Sequence, residues 1–77
     1  MSSKDINDLI KRIVDNPNDS DSYLDLANIY LKNKDFDLAV NVYESLLEVE
    51  PENFIALTNL GSIFFYEGEY KKSVNYY

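Results

Sequence analysis

The chain has 77 residues, 45% of them apolar, with seven tyrosines and four phenylalanines: enough for one modest core and too apolar for a disordered segment. Lysine and arginine number 7 against 14 acids, a net charge of −7, and neither cysteine nor histidine occurs. Disulfides and thiolate metal sites are therefore excluded, and with them the commonest metal ligand and the commonest neutral-pH general base.

Ile6, Leu9, Ile10, Ile13 and Val14 recur at spacings of three and four, which predicts a leading helix over about 4–15 with Ser3 as its N-cap. Asn16-Pro17 ends it, because a residue before proline avoids the helical region. A second helix, entered through Asp19 or Ser20, carries Tyr23, Leu26, Ala27, Tyr30 and Leu31 on one face. Asp35 caps a third, with Phe36, Ala39, Val40, Tyr43, Leu46 and Leu47 on its buried side, and Pro51 closes it. Asn53 introduces a fourth that is expected to stop at Gly68, and Glu69 opens a fifth carrying Tyr70, Ser73, Val74 and Tyr77. The period is 3.6 throughout and the prolines and Gly68 fall at the expected junctions, so the fold class is all-α, a single domain with short connections between antiparallel neighbours. No apolar run approaches the roughly 20 residues of a membrane span, and acids stand where a signal peptide has its apolar stretch. No membrane association is expected, and a cytoplasmic setting is favoured. Basic residues form no cluster, so nucleic acid is not an expected partner.

The chain also repeats itself. Sliding it along its own sequence until Pro17 falls on Pro51 pairs Leu26 with Leu60, Ile29 with Ile63, Val40 with Val74, Asn41 with Asn75 and Tyr43 with Tyr77. Ala27 meets Gly61, Tyr30 meets Phe64 and Phe36 meets Tyr70, so small residues align with small and rings with rings. The first copy reads Tyr23-x-x-Leu26-Ala27-x-x-Tyr30, then Ala39-x-x-x-Tyr43, then Pro51; the second reads Leu57-x-x-Leu60-Gly61-x-x-Phe64, then Ser73-x-x-x-Tyr77. This pattern, with its period of about 34 residues, resembles the tetratricopeptide repeat family. The resemblance implies helix-turn-helix repeats stacked as a right-handed α-solenoid: repeat one over about 20–50, an incomplete repeat two over about 54–77, and the leading helix before them. Lys34 stands where the family has the glycine that Gly68 supplies, so Asn33 or Lys34 must take a left-handed turn. The unmatched ends suggest a fragment of a longer array or a chain that completes itself by association.

The oxygen-rich stretch Asp15–Ser22 lacks the glycine and the terminal glutamate of a calcium loop and is expected to be a turn with an N-cap. No phosphate loop, nucleophile triad or metal-ligand spacing occurs, so an enzyme is not expected and no cofactor is implied. By resemblance, the first helix of each repeat lines a concave groove, with Leu24, Asn28, Leu31, Ile55, Asn59, Ser62, Phe65 and Tyr66 as candidates for holding a peptide. Asn28 and Asn59 match the asparagines of the family's carboxylate clamp, but Leu24 replaces its lysine, and the segment 15–52, with ten acids against Lys32 and Lys34, opposes an acidic tail. The expected function is a non-catalytic protein–protein interaction scaffold binding a peptide or helix. The alternative is self-assembly into a homo-oligomer by end-to-end stacking or domain swapping of repeats through the two ends, Ile6, Leu9, Ile10 and Ile13 at one and Tyr70, Val74 and Tyr77 at the other.

Overall fold

The computed structural model describes the backbone of residues 3–75 and the side chains of residues 5–68. Four helices follow one another: α1 (Ser3–Asp15), α2 (Ser20–Lys32), α3 (Phe36–Val49) and α4 (Phe54–Asn75). The chain is an all-α helical repeat stack, α1 packing on α2, α2 on α3 and α3 on α4.

The helix starts fall where the repeat places them. Asp19 caps α2 by accepting from the Ser22 amide at 3.3 Å and from the buried Ser22 hydroxyl at 2.8 Å. Asn53, its equivalent in the next copy, caps α4 by accepting from the Ala56 amide at 2.9 Å. Asp35 occupies the N-cap position of α3 without a capping side-chain hydrogen bond. The turns are also tied to one another. The Ser20 hydroxyl and the Asn53 amide both donate to the Glu50 carboxylate, fastening the start of α2 and the start of α4 to the end of α3. These two donors, the serine first, hold the Glu50 carboxyl below its ordinary value. The clip is therefore complete at neutral pH and weakens as pH falls through that lowered value.

Between α2 and α3 the chain reverses in three residues. The Asp35 amide donates to the Tyr30 carbonyl at 2.8 Å and the Lys34 amide to the Leu31 carbonyl at 3.0 Å, the bond pair of a Schellman C-cap. Lys34 takes φ 63°, the left-handed conformation that glycine adopts without penalty.

The main core joins α2, α3 and α4 through Tyr23, Ala27, Ala39, Tyr43, Leu46, Ala56, Leu60 and Ile63. A second cluster of Leu9, Leu26 and Ile29, flanked by Ile6 and Ile13, seats α1. Leu46 is 1% exposed and fully enclosed in this core.

One expectation fails. The helix predicted to stop at Gly68 continues unbroken to Asn75, and neither glycine has positive φ. A return hairpin must nucleate a new helix, whereas extending α4 adds one hydrogen bond per residue without a new nucleus. Glycine lowers helix propensity by about 1 kcal/mol, which is too little to force the break. For the same reason Phe64, the repeat counterpart of the half-buried Tyr30, is 54% exposed, because α4 runs straight on past it. The self-association candidates Tyr70, Val74 and Tyr77 have side chains outside the described residues.

Two substitutions check this backbone by chemical denaturation. Lys34→Gly is expected to stabilise the fold by about 1 kcal/mol by removing the left-handed strain. Gly68→Ala is expected to add up to about 1 kcal/mol, since its Cβ meets nothing within 4 Å. A loss at position 68 would show that the glycine serves as a turn.

Candidate functional site

The seam between α3 and α4 is antiparallel and is marked by two contacts, spaced equally along the two helices. The Asn59 amide donates to the Tyr43 hydroxyl at 3.0 Å, and the Tyr66 ring meets the Phe36 ring at 5.4 Å between centroids, tilted 45°. Asn59 and Tyr66, both candidates for the groove, therefore lie on the flank of α4 that faces α3. Burial raises the Tyr43 pKa, and the bond from Asn59 offsets part of the rise.

The remaining groove candidates divide. Leu24 and Leu31 are partly buried against the main core. Asn28 is exposed and borders a charged cleft with Asp5, Asp8 and Arg12 of α1 and Asp25 and Lys32 of α2. The structure does not bring Asn28 together with the α4 residues. Ile55, Ser62 and Phe65 are exposed on α4, and Thr58 joins them at intervals of three, four and three. These four form one stripe about 15 Å long, apolar at both ends with hydroxyls between. Phe65 is 67% exposed and Ile55 48%.

Of the self-association candidates at the first end, Leu9 is buried, Ile6 and Ile13 pack with it against Leu26 and Ile29 of α2, and Ile13 also packs against the main core. Ile10 is exposed, and with Val14 it opens onto an apolar groove of about 280 Å³ lined also by Tyr23 and Leu26 of α2 and Val42 of α3. Helical periodicity does not separate that groove from the core beside it. A comparison of the copies does: Ile10 and Val14 stand one repeat before Glu44 and Glu48, apolar where the next copy is acidic. Among the described residues no group of three or more acids is placed to hold a metal ion, and no helix is long and apolar enough to cross a membrane. Asp19, the acid at the centre of the oxygen-rich stretch, spends its carboxylate on the α2 cap.

The Tyr43–Asn59 bond yields two linked expectations. Asn59→Ala leaves a buried hydroxyl without its partner and should cost about 1–3 kcal/mol, more than Tyr43→Phe, which removes the hydroxyl itself. With its folded pKa above the unfolded value of about 10, Tyr43 contributes stability that is intact below pH 10 and lost as pH climbs through the folded value. Tyr43→Phe should flatten that alkaline loss in unfolding curves measured across the range.

The profile of one protein family, described as Tetratricopeptide repeat, matches residues 20–63. A BBSome complex member, BBS4 of Bos taurus, is 36% identical over 52 residues, which cover 68% of this chain and 10% of the relative. The chain thus spans about a tenth of that relative's length.

Proposed function

The chain belongs to the tetratricopeptide repeat family, and from that premise we propose that it is a non-catalytic interaction scaffold holding a partner's peptide or helix on the stripe of Ile55, Thr58, Ser62 and Phe65. The exposure of Phe65 and Ile55 carries this reading. Two large apolar side chains are presented on one face of a helix whose opposite face is already buried through Ala56, Leu60 and Ile63. The partner offers two apolar anchors about 15 Å apart, with hydrogen-bonding groups between them for the two hydroxyls. The acid-rich segment 15–52 favours basic residues beside those anchors. Family membership supports protein partners, as does the relative's description as a complex member.

A second reading is self-association into a homo-oligomer. It is favoured by the other flank of α4, where Leu57 and Phe64 are each about half exposed.

Selection of a displayed peptide library against the protein tests the first reading. Enriched sequences should carry two apolar positions about four residues apart in an extended chain, which spans roughly 13 Å. Phe65→Ser should weaken their binding tenfold or more, matching the loss of about 1.5–3 kcal/mol of aromatic burial, while helicity stays unchanged. Peptides held equally well by the variant would overturn the assignment. Tyr66→Ser behaves differently, because it also removes the Phe36 ring contact, about 0.5–1.5 kcal/mol of fold stability.

A further inference from the structure

Among the described residues, the large apolar side chains left exposed fall in two places. Ile10, Val14 and Leu38 stand about the groove of about 280 Å³ between α1 and α3, Leu38 one turn before Val42; the others lie along α4. Comparing equivalent places along the repeat separates those the fold needs from those it does not. Ile10 and Val14 stand one repeat before Glu44 and Glu48, Leu38 stands one repeat after Lys4, and Phe54 stands one repeat after Ser20. Each is apolar where the equivalent helix carries a polar residue, so the helices form without apolar side chains at these places. Phe54, 74% exposed, and Val14, 71% exposed, bury little within their own chain. Grouped apolar surface of this kind marks a contact with something outside the chain.

The two places fit one another. An apolar cavity of about 150 Å³ takes one benzene ring, so this groove takes a ring and an aliphatic side chain together. Phe54 and Leu57 supply that pair, three residues apart on α4 and therefore neighbours on its surface. Tyr23 and Leu26 floor the groove, and its only polar lining is Asn41 and Ser45. Neither the groove lining nor the pair carries a charge, so two chains of net charge −7 meet there with the least repulsion. The flanking charges are complementary. Exposed Lys11 stands one turn before Val14, and exposed Glu52 stands two residues before Phe54. A chain does not fill its own groove: the groove lies on the Val42 and Ser45 side of α3, whereas α4 meets α3 through Tyr43 and Phe36.

We propose that Phe54 and Leu57 of one copy seat in the α1–α3 groove of a second copy. The contact joins two different surfaces. Every dimer therefore keeps one free groove and one free Phe54–Leu57 pair, and association continues into longer chains unless its rotation closes a ring.

This inference deepens the self-association reading and rests on it. The repeat itself supplies the test variants. Ile10→Glu with Val14→Glu alters the groove and Phe54→Ser alters the pair, each introducing the residue found at the equivalent place, so helicity by circular dichroism should be unchanged. In sedimentation from micromolar to millimolar, the unaltered chain is expected to rise above 9.0 kDa, and each variant alone to associate at least tenfold more weakly. Mixed in equal amounts, the groove variant still offers its Phe54 and the Phe54→Ser variant still offers its groove. The mixture is expected to give a heterodimer and nothing larger, and a mixture that stays monomeric overturns the proposal. Should the double variant lose helicity, Val14→Glu alone repeats the measurement at the more exposed position. A monomer throughout for the unaltered chain removes self-association and this contact together, whereas association that both variants leave unchanged removes this contact alone. Display-selected peptides that bind the unaltered chain but not the groove variant, with no association of the chain itself, would give the groove to a foreign segment and overturn the proposal as well.

Discussion

Three alanines with no exposed surface, Ala27 on α2, Ala39 on α3 and Ala56 on α4, set how closely successive helices approach. Helix axes come within about 8 Å only where the contact residues are small. Once that distance is fixed, Tyr43 and Leu46, each 1% exposed, fill the space on either side. The order matters energetically. A larger side chain at any of the three alanines forces axes apart and strands the surrounding rings, an overpacking cost of about 1–3 kcal/mol, while the rings tolerate exchange more readily. The repeat pattern is thus a pattern of spacing first and of hydrophobicity second.

Much of this was legible in the sequence, because the governing rules are local. Asp19 and Asn53 cap helices at equivalent places in the two copies, since each supplies a short side-chain oxygen to an amide three residues on. Lys34 had to turn left-handed because three residues are too few to reverse the chain otherwise. The fate of Gly68 was not legible. Glycine permits both a turn and a continued helix, and the choice depends on what tertiary packing rewards. Nor could periodicity separate the two flanks of α4. Asn59 and Tyr66 each follow a residue that faces solvent, and only the angle at which α3 crosses decides that they meet Tyr43 and Phe36.

The helix α4 combines two tasks that elsewhere in the chain are separated. On α1 and α2 the apolar residues form a face, and the remainder is polar. On α4 one flank is buried, and the others carry Phe54, Leu57, Phe64 and Phe65 in open view. Such a helix gains fold stability from one side only, yet it exposes more ring surface than the rest of the described chain. Apolar surface of that extent draws partners through water release, a driving force without directional demand. In the proposed scaffold, specificity is assigned to the hydroxyls of Thr58 and Ser62 and to the acids around the stack.

The clip of Ser20, Glu50 and Asn53 and the ring contact of Phe36 with Tyr66 stand at opposite ends of the α3–α4 seam. Hydrogen bonds weaken steeply with distance and angle, whereas a tilted ring pair tolerates sliding and rotation with little loss. The seam is accordingly stiff at one end and compliant at the other. Its easiest deformation is a fanning of α4 about the Glu50 end, like a page turning on a bound spine. Motion of that kind alters the curvature of the stack without unseating the core. A ligand that wedges the compliant end and one that grips it would bend the same solenoid in opposite directions.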